Sequence, residues 1–93
     1  MHYLYIIYSK KKNQFYTGES DDPHSRLELH NQHYFKKGFT KIADDWEFAL
    51  LYKCRAKEDA VYLERFVKRM KSRKFIQKVI NKPQTLTEIL NKR

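Results

Sequence analysis

Tyr3-Leu4-Tyr5-Ile6-Ile7-Tyr8, then Ser9-Lys10-Lys11-Lys12-Asn13, then Gln14-Phe15-Tyr16-Thr17-Gly18: the reading of these residues decides the fold. The first stretch is β-branched and aromatic, and alternation places Tyr3, Tyr5 and Ile7 on one face and Leu4, Ile6 and Tyr8 on the other. Bulky groups on both faces predict a strand covered on both sides. The polar, lysine-rich stretch that follows is a flexible connection, and residues 14–18 read as the return strand of a hairpin. Two tyrosine-bearing segments therefore become neighbours.

Downstream, Gly18 allows backbone conformations closed to other residues, and Ser20-Asp21-Asp22-Pro23 supplies a cap followed by proline at a first helical position. A helix is expected to start near Asp22 or Pro23. Along it Arg26 and His30 share a face, while Leu27 and neighbouring apolar groups hold the helix to the sheet. Residues 33–45 mix aromatics, lysines and Gly38 without a period and read as a loop or irregular insertion. Residues 46–54 alternate, with Trp46, Phe48, Leu50, Tyr52 and Cys54 on one side, as a third strand.

Residues 56–70 have helical composition, with Ala60, Leu63, Val67 and Met70 as the buried stripe and Glu64 on its edge. Ser72 caps a helix over residues 73–80, Asn81-Lys82-Pro83 breaks it, and residues 85–90 form a short last helix. The sequence holds no internal repeat and no low-complexity tract.

Ninety-three residues suit a single domain that buries about 60 to 65% of its unfolded surface. With 41% hydrophobic residues and only two glycines and two prolines the chain is too apolar for disorder, and it is too broken by charge for a membrane span. The first residues carry no secretory signal pattern, so a cytoplasmic location is expected. Cys54, the single cysteine, excludes an internal disulfide and reads as a core thiol.

Twenty basic against eleven acidic residues give a net charge of +9 and a pI near 9.7, a balance that suits a polyphosphate partner. Proteins of membrane surfaces and ribosomes are basic too, so the distribution has to carry the argument. Arg65, Lys68, Arg69, Lys71, Arg73, Lys74, Lys78 and Lys82 follow one another with no acidic residue between them.

Glu64, flanked by Ala60, Leu63 and Val67, must bend out to water or find a partner. A divalent cation is one such partner; a salt bridge to Lys68 or Arg65 is the plainer one. Arg26 and His30 equally suit a solvated helix face, and Tyr3, Tyr5, Tyr8 and Tyr16 equally suit a sheet whose hydroxyls bond at its rim. One cysteine with the scattered His2, His24, His30 and His33 lacks the paired spacing of a zinc site, and no glycine-rich phosphate loop is present.

Taken in order, Tyr3-Leu4-Tyr5 resembles the first half of the GIY-YIG signature and Tyr16-Thr17-Gly18 the second. Arg26, His30-Asn31, and Glu64 with Lys68 fall where that nuclease superfamily carries its arginine, its histidine or tyrosine, and its metal-binding glutamate. The resemblance runs from about residue 2 to residue 80 and is closest to short stand-alone members, similar to the nuclease domain of the bacterial excision-repair incision subunit. Tyr3-Leu4 stands in place of Gly-Ile, and Glu19 follows Gly18 where some relatives place a lysine or an apolar residue.

This resemblance implies an α/β (α+β) fold, a three-stranded antiparallel sheet flanked by helices. It also implies a metal-dependent endonuclease acting on DNA ahead of RNA, structure-directed or weakly specific, in repair or recombination. Glu64 would hold Mg²⁺ or Mn²⁺, Arg26 would grip phosphate oxygens, and Tyr16 would orient or deprotonate the water; Tyr5 could share that task and His30 could shuttle the proton, and the sequence does not choose among them. Arg65, Lys68, Arg69, Lys71, Arg73, Lys74 and Lys78 would hold the nucleic-acid backbone without reading sequence, so selectivity is expected from recognition of nucleic-acid shape, such as flaps, branches or single strands, or from targeting by a protein partner. Two alternatives remain at this point: a non-catalytic nucleic-acid-binding module that keeps the fold, and a purely structural basic protein.

Overall fold

A computed structural model describes residues 1–32 and 38–93. Strands β1 (His2–Ser9), β2 (Gln14–Ser20) and β3 (Trp46–Cys54) form one antiparallel sheet in the order β2-β1-β3. The helices are α1 (Pro23–Asn31), α2 (Lys57–Met70), α3 (Arg73–Asn81) and α4 (Gln84–Asn91), with a 3-10 turn at Phe39–Ile42. The expected α+β architecture is present. Of the loop expected over residues 33–45, residues 33–37 lie outside the described residues, and the 3-10 turn occupies part of the rest.

β1 is the central strand, which explains its two covered faces. Leu4 and Ile6 join Cys54, Ala60, Leu63, Val67, Val79 and Leu86 in a core under α2, α3 and α4. Tyr5 and Ile7 join Ala43 and Trp46, with Leu27 of α1 packed against them, on the opposite face. The sheet is thus sandwiched between α1 and the other three helices.

Local signals set the helix starts. Asp22 accepts a hydrogen bond from Ser25 N at 3.2 Å ahead of Pro23, and Ser72 Oγ accepts from Phe75 N at 3.0 Å. α2 ends where Lys71 takes the left-handed conformation at φ 46°.

Three expectations are corrected. The alternation of β3 does not keep one face: Ile6 pairs with Leu50 and Ile7 with Phe48, so a bulge leaves Ala49 unpaired. Trp46 and Phe48 consequently belong to the α1 side, while Leu50, Tyr52 and Cys54 belong to the α2 side. Met70 does not complete the buried stripe; it occupies the last turn of α2, where the helix ends, and is 46% exposed. Gly18 has no positive φ, so backbone freedom is not why glycine stands there.

Candidate active site

The register of β1 and β2 sets Tyr5 opposite Gly18 and Ile7 opposite Tyr16, so Tyr5 and Tyr16 are diagonal neighbours on one face. The Tyr5 ring lies over the glycine. A Cβ at residue 18 would come within 2.5 Å of both Tyr5 Cζ and Oη, so steric room for the phenol is what demands glycine.

Arg26 and His30, one turn apart on α1, and Glu64, at the edge of the buried stripe of α2, reach the same place. Tyr5, Tyr16, Arg26, His30 and Glu64 line a single hollow of about 240 Å³, with Gly18, Glu19, Gly38, Phe39 and Thr40 completing it. All five side chains singled out from the sequence as catalytic candidates therefore converge, across 59 positions of chain (5 to 64). α1 and α2, on opposite faces of the sheet, each contact β2, the outer strand that carries Tyr16 and Gly18.

Inside the hollow, Tyr5 Oη lies 2.9 Å from His30 Nε2, and His30 Nδ1 lies 2.7 Å from Thr40 Oγ1. A neutral imidazole has one donor and one acceptor nitrogen, and either tautomer satisfies both hydroxyls. Burial pushes the Tyr5 phenol well above its ordinary range, helped by Tyr16, Glu64 and Glu19 and opposed by the Arg26 guanidinium. Burial also pushes His30 down to about 4, with the Arg26 charge adding to it. Tyr5 therefore keeps its proton and His30 stays neutral near pH 7. Tyr5 is thereby better suited to donating a hydrogen bond than to taking a proton, and His30 is a neutral link between the Tyr5 and Thr40 hydroxyls.

The His30 shift has a consequence for stability. An unfolded histidine takes up a proton near pH 6.5 and the folded one near 4, so stability is fully present above about 6.5 and is lost as pH falls toward 4. Chemical denaturation followed by the fluorescence of Trp46, the single tryptophan, should show a loss of about 1–3 kcal/mol across that window. In His30→Gln, which cannot titrate, this component of the slope should vanish.

Tyr16 differs from Tyr5. It is half-buried, its ring centroid is 5.2 Å from that of His30, and Lys68 Nζ sits 5.1 Å from its centroid. The same lysine donates to Glu64 Oε2 at 2.9 Å, so the plain salt bridge anticipated for Glu64 is formed. Glu64 keeps a side-chain exposure of 21% and a second oxygen with no bond among the described residues. One reachable carboxylate beside a polar hollow suits a hard cation that draws its remaining ligands from water and phosphate. Among the described residues no group of three or more His, Cys, Asp or Glu gathers as an all-protein metal cage. Glu19, the departure noted in the sequence, also lines the hollow and pairs with His2 Nε2.

The basic run divides between two troughs. Lys68, Lys71 and Arg73 line a trough beside the hollow, whereas Arg65 and Arg69 line a separate one with Tyr62 and Arg93. Lys74 and Lys78 are exposed on α3 and line neither. Sequence reasoning missed Thr40 and Phe39, which come from an aperiodic segment with no pattern to mark them. It also missed the bracing role of Asn31, whose side-chain amide donates to Trp46 O at 3.0 Å and accepts from Trp46 N at 2.7 Å, tying α1 to β3.

No curated protein and no solved structure matches the chain. The family model of the GIY-YIG catalytic domain matches residues 1–78, which takes in both tyrosine strands, α1 and α2. The chain thus belongs to the GIY-YIG catalytic-domain family, whose members are nuclease-type domains acting on nucleic acid.

Proposed function

We propose that this protein is a metal-dependent endonuclease that hydrolyses phosphodiester bonds in DNA. The observation that carries the reading is the convergence of Tyr5, Tyr16, Arg26, His30 and Glu64 on one hollow of about 240 Å³. Hydrolysis needs a positioned water and positive charge where the phosphorane and the leaving oxygen become negative.

Arg26 supplies fixed charge to the non-bridging oxygens through its planar fork. Tyr16, the more accessible phenol, orients the attacking water. Tyr5, buried and held by His30, serves as a fixed hydroxyl that keeps its proton. Thr40 fixes the imidazole from behind, so the pair is set before substrate arrives. Glu64 is the residue that would hold Mg²⁺ or Mn²⁺, a cation that supplies charge stabilisation to the leaving oxygen. Lys68, Lys71 and Arg73 hold the flanking backbone without reading sequence, which favours recognition of nucleic-acid shape.

The test is a panel of branched, flapped, single-stranded and plain duplex DNA, with and without Mn²⁺, scored for cleavage. Turnover on none of them, with salt-sensitive binding retained, would establish the second reading, a binding module on the same fold. That reading draws on Glu19, whose carboxylate in the hollow works against a phosphate. In the active protein, Arg26→Lys should lower cleavage about a hundredfold, because an ammonium cannot reproduce two parallel hydrogen bonds. Single-turnover rates check this, and an unimpaired lysine variant would remove the bidentate role.

A further inference from the structure

A second trough, of about 430 Å³, opens beside the hollow, and the two share Tyr16 and Phe39. Its apolar floor comes from Phe15, Val67 and Ile76, its cations are Lys68, Lys71 and Arg73, and no acidic residue is among the described residues that line it. At the boundary between the two stands Phe39, 48% exposed, with its ring within 15° of parallel to that of Tyr16 and centroids 6.4 Å apart.

Single exposed aromatics are ordinary on protein surfaces. This one stands at the boundary between the hollow and a trough whose charge is of one sign. A flat ring flanked by cations along a groove is the arrangement that binds unpaired nucleotides, the ring stacking on a base and the cations meeting the backbone. Arg73 forms a fixed wall: it donates to Asn13 O at 2.8 Å and its guanidinium lies over the Phe15 ring. Lys71, Lys68 through the donors that its bond to Glu64 leaves, and the outer edge of Arg73 then present positive charge to phosphates along the trough.

In a duplex each base hides both faces in the stack, so only an unpaired base can offer a face to Phe39. We propose that Phe39 and this trough take the unpaired base next to the phosphate held in the hollow, which makes single-stranded segments and flaps the preferred substrate. The inference rests on the nucleic-acid reading above and specifies its substrate class.

The test is fluorescence anisotropy in EDTA, with a short labelled single-stranded DNA and the same sequence as a duplex. Phe39→Ala is expected to weaken single-strand binding roughly tenfold and leave duplex binding within about twofold, and Phe39→Trp is expected to restore it. Moving one abasic nucleotide along the strand should find a position that weakens the wild type and leaves Phe39→Ala unaffected. Equal loss on both DNAs, no loss on the single strand, failure of Phe39→Trp to restore, or wild type that binds neither DNA would each overturn the proposal. Wild type that shows the Phe39-dependent preference yet cleaves nothing in Mn²⁺ refutes the nuclease reading alone. Wild type that cleaves, with Phe39→Ala equally weakened on both DNAs, refutes this inference alone.

Discussion

Glu64→Ala is expected to lower DNA cleavage by about three orders of magnitude while leaving binding of the strand intact or slightly tighter. The two effects separate because Glu64 plays two parts. Its carboxylate is the oxygen donor proposed for the cation, and it also holds Lys68 Nζ at 2.9 Å. Removing it takes a negative charge from the hollow and releases Lys68 toward phosphate, so affinity does not fall. Glu64→Gln keeps the size and should lose nearly as much activity, since a neutral amide oxygen is a poor partner for a hard cation. Single-turnover cleavage in Mn²⁺ beside anisotropy in EDTA measures both. Retained cleavage would strip Glu64 of the metal role, and lost binding would make it structural.

Gly18→Ala is expected to cost about 1–3 kcal/mol of stability, a drop in Tm of several degrees for a domain of this size. The added methyl would meet Tyr5 Cζ and Oη at 2.5 Å, and the ring, buried among Ile7, Ala43 and Trp46 with Phe48 edge-on to it, has to shift within a packed cluster. What yields is the phenol's bond to His30. Cleavage at a temperature where the variant is fully folded should therefore fall about a hundredfold, more than stability explains, because a small misplacement of a positioned group is costly. Adding Tyr5→Phe removes one of the two clashing atoms and should recover part of the Tm without recovering activity. A variant as stable and active as wild type would mean that the strands part easily and that Tyr5 needs no fixing.

Much of this was legible in the chain because it is written locally. The hairpin, the Asp22 and Ser72 caps and the stripe of α2 each follow from a few neighbouring residues. Glu64 stood out because a carboxylate on the edge of an apolar stripe must have a partner. The bulge at Ala49 was not legible, since apolar and aromatic residues continue through it and only the pairing with β1 shows where the faces exchange. Gly18 was read as a backbone requirement, whereas its reason lies across the strand in Tyr5. Thr40 and Phe39 had no period to announce them. The run of basic residues is continuous in sequence, yet Lys68, Lys71 and Arg73 line one trough and Arg65 and Arg69 another.

The place of β1 in the middle of the sheet carries a cost during synthesis. The strand emerges before either of its partners, and the second of them ends only at Cys54, some seconds later at roughly 5–20 residues per second. Through that interval a nascent Leu4-Tyr5-Ile6-Ile7 segment is a sticky template for other chains. Lys10, Lys11 and Lys12 follow immediately and act as gatekeepers, repelling a second copy until the ladder closes.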